Sequence, residues 1–342
     1  MALSTCYERL VAGSLLVIFT LTPAALAEPL PEGLGLAAGY PADQGLADDP
    51  AVLLFEDFEH GSLEQLGQRW DNVSNAGGAV LSFADDVPPG SAGRRSLHST
   101  ATLGENHGGH LYTRLPEPVD DVVFVRFYVR FAEDAGYLHH FVRVGGYHPA
   151  TRWPQGGAGT RPTGDDRFVI GTQPFAERGR VEPPGAWAFY VYWPEMKQSA
   201  DGRYWGNGLR PAEHHVAPRG QWQCVEVMVR LNSAPAKRDG ELALWLDGEL
   251  VAHIAPGSRH TRWTGMGFAV DEDGEETFEG FRWRTDERLK LNFLWLLHYV
   301  TPGSIERAGV EDPDPHHRVQ FDHVVVAREY IGPLAPIAAG EP

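Results

Sequence analysis

Apolar side chains occupy every second position of the segment Val122 to Phe131, VVFVRFYVRF, and this period of two constrains the fold more than any other feature. Side chains of a β-strand point alternately to opposite faces, so one face of this segment is apolar and the other polar and aromatic. The apolar face consists of Val123, Val125, Phe127, Val129 and Phe131. The opposite face carries Arg126, Tyr128 and Arg130.

The same periodicity recurs from residue 52 onward, and Gly, Pro, Asn and Asp interrupt it about every 10 residues. No segment has the convincing pattern of an amphipathic helix. Strands are predicted, besides 122–131, at 52–58, 110–115, 138–145, 167–172, 187–193, 224–231, 241–254, 289–300 and 319–327. Ten or more strands predict an all-β protein with two stacked antiparallel sheets, a sandwich or jelly roll.

Charge and composition exclude several classes of protein. The chain has 342 residues, of which 42% are hydrophobic, and its formal net charge is -17. The apolar fraction is that of a globular protein rather than an intrinsically disordered one. Because no basic excess is present to neutralise phosphates, nucleic acid is not an expected partner.

An apolar run from Leu10 to Thr22 follows Arg9 and precedes Ala25-Leu26-Ala27. This order is typical of a secretory signal peptide, and the run is shorter than the roughly 20 residues that a membrane-spanning helix needs. We predict a signal peptide over residues 1–27, no membrane span, and a secreted or periplasmic protein.

The remaining chain is predicted to hold one β domain. Residues 28–50 are rich in Pro, Gly and Ala without periodicity, which predicts a linker. The jelly-roll domain is expected over 51–334, with a C-terminal tail at 335–342. The mature chain keeps Cys224 alone and forms no intrachain disulfide. We expect a monomer.

A strand, a loop and a hairpin follow one another in the middle of the chain, WQCVEVMVRLN at 222–232 and DGELALWLDG at 239–248. This combination resembles the concanavalin A-like jelly-roll polysaccharide lyases of the alginate- and glucuronan-cleaving type. The similarity extends upstream to VRFYVRF, LHHFVRVGGYHP and WAFYVYWP. The resemblance implies a concanavalin A-like jelly roll that cleaves a uronate-containing polysaccharide by β-elimination. Arg143 stands close to the Gly-Gly turn, where those lyases commonly carry a lysine.

β-Elimination on a uronate requires a cation or strong donor at the carboxylate, a base for the C5 proton and an acid for the leaving oxygen. Even spacing places His139 and Arg143 on one face of their predicted strand and His140 on the other. Tyr190 and Tyr192 likewise share one face. We assign carboxylate binding to Arg143, proton abstraction to a Tyr or His, and protonation of the leaving group to Tyr190 or Tyr192.

Further substrate contacts are expected from Arg126, Tyr128 and Arg130, because an acidic protein binds a polyuronate only where basic charge is gathered locally. Tyr147 and His298 complete the predicted set of substrate-binding residues.

Jelly rolls of this kind often hold a structural calcium between an acidic residue near the first strand and an Asp in the last. Calcium binds six to eight oxygen ligands. Glu56, Asp57 and Asp322 are the candidate ligands, and the alternative is that they are ordinary exposed carboxylates.

Three other functions remain open from the sequence. A retaining glycosidase needs two carboxylates roughly 5 Å apart, and the nearest acidic string, residues 56–59, has the wrong spacing. A structural envelope protein would have no sugar site. A non-catalytic, lectin-like carbohydrate-binding module would need only aromatic platforms, here Trp153, Tyr190, Tyr192, Trp205 and Trp245.

Overall fold

A computed structural model of the chain describes Met1, residues 29–311 and residues 313–337. Apart from Met1, the predicted signal peptide lies outside the described residues. None of the helices in the described part is long and apolar enough to cross a membrane.

Strands are the main regular structure of the described chain, and they are numbered here in chain order. They are β1 (Val52–Glu56), β2 (Asn72–Ser74), β3 (Leu81–Ala84), β4 (Ser96–Thr102), β5 (Gly108–Val119), β6 (Val122–Phe131), β7 (Arg143–Tyr147), β8 (Arg167–Phe175), β9 (Ala186–Tyr192), β10 (Asn207–Arg210), β11 (Trp222–Arg230), β12 (Glu241–Leu246), β13 (Glu249–Ile254), β14 (Arg259–His260), β15 (Gly267–Ala269), β16 (Glu276–Thr277), β17 (Leu291–Tyr299) and β18 (His316–Ala327). The α-helices are α1 (Leu66–Arg69) and α2 (Pro302–Arg307).

The described strands form two eight-stranded sheets and a small two-stranded sheet of β14 and β16. Sheet 1 has the order β13-β12-β11-β6-β18-β4-β3, with β1 also paired to β18. Sheet 2 has the order β15-β10-β9-β8-β7-β17-β5-β2. All neighbours are antiparallel except β10 and β15, so the predicted all-β jelly-roll sandwich is confirmed.

The core lies between the two sheets. Val125 and Phe127 of β6 face Trp187, Phe189 and Val191 of β9, and all five are buried. The ring centroids of Phe127 and Trp187 are 6.4 Å apart. The faces assigned from the period of two are therefore correct for both strands, and Tyr190 and Tyr192 lie on the outer face of sheet 2.

Residues 31–50 are not the linker that their composition predicts. They form 3-10 turns at Leu36–Gly39, Pro41–Asp43 and Leu46–Asp48. Asp43 is buried against Arg126 on the outer face of sheet 1, where its carboxylate also accepts a hydrogen bond from His323 Nδ1 at 2.8 Å. Turns of Pro, Gly and Ala have no long periodicity, so the sequence pattern does not reveal this packing.

The strand predicted at 138–145 begins only at Arg143. Before it, a single bridge joins His140 to Tyr299 of β17, and Phe141 and Val142 enter the core. The chain therefore leaves strand geometry at His139 and His140, and the alternation of faces predicted for these two histidines does not hold.

Candidate functional site

A cleft of about 550 Å³ crosses the outer face of sheet 2. Its lining comes from β9, β8, β7, β17, β5 and β2, which are six neighbouring strands. At a spacing of about 4.8 Å between strands, the cleft is about 24 Å long. An elongated open groove of this kind suits a polymer better than a small molecule.

Arg143 lies on β7 at the centre of this cleft. Its guanidinium carbon is 5.0 Å from the ring centroid of Trp295. Its Nε atom is buried without a hydrogen-bond partner, and the side chain makes no ion pair with any described residue. Burial lowers the pKa of Arg143, and the nearby tyrosines partly oppose that shift. The cleft thus holds a cation whose charge nothing in the described protein neutralises.

No aspartate or glutamate occurs among the described residues that line the cleft. The net charge of the whole chain is -17, so the distribution of charge is strongly uneven. Arg167 also lines the cleft, but its Nη1 is 2.6 Å from Asp166 Oδ2. Arg143 therefore supplies the local field that favours an anionic ligand.

Tyr190 and Tyr192 of β9 reach into the cleft side by side, with their hydroxyl oxygens 3.4 Å apart. Gly206 makes room for one ring, because a Cβ atom there would lie 2.4 Å from Cε1 of Tyr190. Gly171 of β8 pairs with Arg143 of β7 on one side and with Tyr190 of β9 on the other, and so lies between these two residues. Burial, followed by Tyr192, raises the pKa of Tyr190, so this phenol is protonated at neutral pH.

Tyr147 also borders the cleft but is almost fully buried. Its ring stacks on Phe293 with centroids 4.4 Å apart, and burial raises its pKa to about 12. The structure thus brings Tyr147 to the predicted site, as part of its floor.

Both ring nitrogens of His139 form hydrogen bonds. Nδ1 lies 3.0 Å from Thr301 Oγ1, and Nε2 lies 3.4 Å from Nη2 of Arg307. A guanidinium can only donate, so Nε2 accepts and the proton resides on Nδ1. Burial, then Arg307 and Arg143, lower the pKa of His139 to about 4. His139 is therefore a neutral ring without a free lone pair.

His140 also lines the cleft, contrary to the prediction that it faces the core. Nε2 of Gln173 donates to the carbonyl of His139 at 3.1 Å, which directs Oε1 of Gln173 to Nδ1 of His140 at 3.2 Å. Because that oxygen only accepts, Nδ1 of His140 carries the proton and Nε2 keeps a free lone pair. Burial lowers the pKa of His140 well below its usual value.

The ring of His140 is held between aromatic neighbours. Its centroid is 4.3 Å from that of His139 and 4.8 Å from that of Tyr190. The ring of His140, with Nε2 unprotonated, thus lies beside the ring of Tyr190, whose phenol is protonated. The sequence gives no signal for Gln173, which is one polar residue in an otherwise ordinary strand.

Arg126, Tyr128 and Arg130 do not join this site, because β6 belongs to sheet 1 and these three side chains point away from sheet 2. Arg126 is completely buried against Asp43. The hydroxyl of Tyr128 accepts from the backbone of residue 334, and Arg130 pairs with Asp86 at 3.3 Å. The prediction for these three residues is wrong, since alternation identifies a face but not the sheet that contains it.

His298 borders the cleft, yet its ring points between the sheets and is 1% exposed. Its Nδ1 lies 3.1 Å from Ser99 Oγ of β4, and burial lowers its pKa to about 3. The ring of the next residue, Tyr299, stacks instead on His139 with centroids 5.1 Å apart. Tyr299, not His298, presents its side chain to a ligand.

Three of the five aromatic residues of the alternative binding module, Tyr190, Tyr192 and Trp205, line the cleft, whereas Trp153 and Trp245 lie outside its lining. Trp205 lines the cleft, and Trp153 is 58% exposed on the loop between β7 and β8. Trp245 is buried on sheet 1, where its indole Nε1 donates to the carbonyl of Pro31 at 2.8 Å. The three tryptophans do not form one platform.

The predicted calcium ligands have different environments. Glu56 already accepts from Arg69 Nε at 2.8 Å and from Trp70 Nε1 at 3.1 Å. Asp322 is buried, and its Oδ2 has no partner. Burial, with smaller contributions from Asp57 and Glu59, raises the pKa of Asp322 to about 9.

Oδ2 of Asp322 is buried without a hydrogen-bond partner and lies near further carboxylates, an environment that suits a cation. Asp322 and Asp57 therefore remain candidate calcium ligands. Glu56 does not, because its carboxylate already accepts the two hydrogen bonds described above. Within the described part of the chain, no group of three or more His, Cys, Asp or Glu residues is arranged to hold a metal ion. Calcium stays a prediction that rests on Asp322.

Comparison with known proteins gives similarity in structure and none in sequence: no family model and no curated protein matches the chain. The alginate lyase vAL-1 from Chlorella virus superposes with a TM-score of 0.51 at 14% identity, over 81% of this chain and 99% of that one. Alginate lyase Aly36B gives 0.47 at 12%, over 87% and 98%. The endo-β-1,4-glucuronan lyase from the fungus Trichoderma reesei gives 0.44 at 15%, over 81% and 95%.

At these identities the likeness concerns the fold alone. The chain therefore has the jelly-roll fold of the alginate-cleaving polysaccharide lyases.

Proposed function

We propose that the protein is a polysaccharide lyase that cleaves a uronate-containing polysaccharide by β-elimination. The observation that carries the proposal is an arginine, Arg143, that forms no ion pair with a described residue and lies in a cleft whose described lining residues include no carboxylate. The same cleft holds a histidine with a free lone pair and a protonated tyrosine. These are the three groups that the reaction needs.

In this reaction Arg143 binds the uronate carboxylate and neutralises its charge, which makes the C5 proton more acidic. Nε2 of His140 removes that proton. The electron pair forms the C4–C5 double bond as the bond from C4 to the leaving oxygen breaks. The hydroxyl of Tyr190, adjacent to Tyr192, donates its proton to that oxygen. One proton is taken up and one is released, so the chain returns to its starting state after proton exchange with water.

The surroundings of His140 suit this role. Its lowered pKa keeps the ring neutral at neutral pH, and Gln173 fixes the tautomer that leaves Nε2 unprotonated. The lowered pKa makes His140 a weak base. Arg143 binds the carboxylate next to His140 and so holds the C5 proton close to it, which offsets the low basicity. A glycosidase is disfavoured, because the described residues that line the cleft include no pair of carboxylates.

The proposal includes the location expected from the sequence: a secreted or periplasmic monomer that meets its polysaccharide outside the cytoplasm. A polymer substrate accords with the length of the groove across six strands.

The test is the ultraviolet absorbance of unsaturated uronate, which elimination forms and hydrolysis does not. Purified protein is mixed with alginate, polyglucuronate, pectate and glycosaminoglycans. We expect absorbance to rise with at least one polymer, and Arg143→Ala, His140→Ala and Tyr190→Phe each to reduce kcat/KM by about 100-fold or more. His139→Ala should reduce kcat/KM by a smaller factor, because Nε2 of His139 already accepts a hydrogen bond from Arg307.

A matched control is Arg94→Gln, which removes one exposed positive charge outside the cleft. Its rate should equal that of the wild type. Absence of any absorbance change, together with retardation of the protein in a gel containing one of the polymers, would reject the lyase in favour of the carbohydrate-binding module.

A further inference from the structure

A serine, a histidine and an aspartate from distant parts of the sequence are hydrogen-bonded in series on the side of sheet 1. Oγ of Ser91, on the segment between β3 and β4, lies 2.7 Å from Nε2 of His323 in β18. Nδ1 of the same ring lies 2.8 Å from Oδ2 of Asp43. A nucleophile, a base and an orienting carboxylate follow one another in this order where a serine is activated for acyl transfer.

The ionisation of Asp43 fixes the direction of these hydrogen bonds. Burial alone would raise the pKa of Asp43, but Arg126 and the hydrogen bond with His323 outweigh it, so the pKa is lowered and the group is ionised at neutral pH. A carboxylate only accepts hydrogen bonds, so Nδ1 of His323 carries the proton. Nε2 is then the acceptor of the hydroxyl proton of Ser91.

The backbone of β18 is distorted at His323. Its φ of 45° lies in the left-handed region, which residues other than glycine seldom adopt. Phe321 faces the core, and so does Val324, three positions later. The strand therefore accommodates one extra residue, and both Asp322 and His323 are directed to its outer side. Strain and bulges of this kind concentrate at active sites.

A cavity of about 490 Å³ lies against the three residues. His323 and Asp43 line it, together with Ala92 and Gly93, which directly follow the serine. Ser91 itself is partly exposed. The cavity shares none of its described lining residues with the cleft on sheet 2. A ligand in this cavity therefore lies next to the hydroxyl of Ser91 and remote from Arg143.

Backbone N–H groups adjoin the hydroxyl of Ser91. The N–H of Gly93 donates to Oγ of Ser91 at 2.9 Å. The N–H of Ala92 donates to none of the residues that the structure describes. An N–H group directly after a nucleophilic serine is well placed to bind the oxyanion of a tetrahedral intermediate.

The remaining walls of the cavity are acidic. Asp48, Asp57 and Glu59 line it, as does Glu56, whose charge is neutralised by Arg69. These carboxylates repel an anionic acyl group and favour the imidazolium that forms during acyl transfer. The cavity therefore selects an ester whose acyl group is uncharged.

We propose that Ser91, His323 and Asp43 form a second catalytic site, which hydrolyses carboxylic esters with a small uncharged acyl group. Oγ of Ser91 attacks the carbonyl carbon while its proton passes to Nε2 of His323. The bond from the carbonyl carbon to the alcohol oxygen breaks, and the alcohol leaves with that proton. Water then attacks the acyl-serine and gives a proton to Nε2, and the carboxylic acid leaves as Oγ recovers the proton. Asp43 acts as a positioning residue for the ring.

The first test is covalent labelling of the wild type with diisopropyl fluorophosphate, which phosphorylates an activated serine. Labelling is run with calcium and with a chelator, because a cation bound by Asp57 would lie in the same cavity. We expect the label on Ser91, at least in the chelator, and none on Ser62. Ser62 is the internal control, since its exposed hydroxyl donates to Glu64 at 2.6 Å and no histidine accepts from it. Absence of label from Ser91 in both conditions would overturn the proposal.

The second test is the rate of p-nitrophenyl acetate hydrolysis by wild type, Ser91→Ala and the control Ser62→Ala. We expect Ser91→Ala to lower kcat/KM about 100-fold or more and Ser62→Ala to leave it unchanged. Elimination on polyuronates should be equal in all three proteins, because the two sites share no described lining residue. Equal ester hydrolysis by wild type and Ser91→Ala would also overturn the proposal. A wild type that is labelled on Ser91 but inactive on every polyuronate would contradict the lyase alone.

Discussion

Gln173 Oε1 lies 3.2 Å from His140 Nδ1, and the amide nitrogen of the same side chain donates to the carbonyl of His139 at 3.1 Å. The second hydrogen bond fixes the orientation of the amide and so determines which nitrogen of His140 carries the proton. In the proposed reaction Gln173 is a positioning residue, which acts through His140.

Gln173→Glu should move the pH dependence of the reaction. A carboxylate beside Nδ1 stabilises the imidazolium, so the pKa of His140 rises from its depressed value. A base must be unprotonated, and kcat/KM therefore falls as pH drops through that pKa. We expect the acidic limb of the kcat/KM profile to shift upward by about one pH unit or more.

The control for this profile is Gln68→Glu, which adds the same charge at an exposed position on α1. Its acidic limb should coincide with that of the wild type. An unshifted limb in Gln173→Glu would mean that His140 is not the base.

Arg126 and Asp43 provide a test of how residues 31–50 stabilise the fold. Their side chains are completely buried, Asp43 Oδ1 accepts from Arg126 Nη1 at 3.2 Å, and the pair raises the pKa of Arg126. Asp43→Ala leaves a buried guanidinium without its counterion and should lower the free energy of unfolding by about 3–5 kcal/mol. Urea unfolding measures the change.

Asp120→Ala is the matched control, because Asp120 pairs with Lys290 at the surface at 3.1 Å. Asp120→Ala should lower the free energy of unfolding by about 1 kcal/mol or less. If Asp43→Ala were no more destabilising than this control, the N-terminal segment would contribute little to the fold.

Local alternation along the chain predicts which residues share a face, and it does so correctly for β6 and β9. It does not predict strand order, which depends on pairing between distant segments. Arg126 and Arg143 belong to strands that are consecutive in the chain, β6 and β7, yet these strands lie in different sheets. This is why the predicted tyrosines of β9 line the cleft and the predicted arginines of β6 lie on the other sheet.

The bend at His139 and His140 also has no signature in the sequence. Two adjacent histidines in a strand point to opposite faces, whereas here both rings stack in the cleft, 4.3 Å apart. The tautomer of His140 depends on Gln173, which is 33 positions away in sequence. The assignment of His140 as the proposed base therefore depends on long-range contacts that alternation does not encode.

His298 should make stability depend on pH. Its ring is buried, and burial lowers its pKa to about 3, whereas an unfolded histidine has a pKa of about 6.5. Below pH 6.5 the unfolded state takes up a proton that the folded state does not, so stability falls as pH decreases toward 3. Between pH 6.5 and 5 the loss attributable to this residue is about 2 kcal/mol.

His298→Gln retains a hydrogen-bonding partner for Ser99 and removes the titrating group. Its stability, measured by urea unfolding at pH 8, 6.5 and 5, should decline less steeply than that of the wild type. His214→Gln, a change at an exposed position, should leave the wild-type slope intact. Identical slopes in wild type and His298→Gln would show that His298 is already accessible to protons in the folded state.

The carboxyl group of Asp322 determines how calcium should change the stability of the protein. Its Oδ2 is buried and unpartnered, and its pKa is raised to about 9, so in the absence of a cation the carboxyl is protonated at neutral pH. Calcium must displace that proton, and its affinity should therefore increase as pH rises from 7 to 9. A ligand that binds only the folded state stabilises it, by about 2.7 kcal/mol at a concentration 100 times its Kd.

We expect calcium to raise the Tm of the wild type, more at pH 9 than at pH 7, and a chelator to reverse the effect. Asp322→Asn should abolish the response, while Asp121→Asn, a change at a surface carboxylate that is 72% exposed, should preserve it. A Tm that calcium leaves unchanged at both pH values would exclude the site and leave Asp322 as a buried neutral acid.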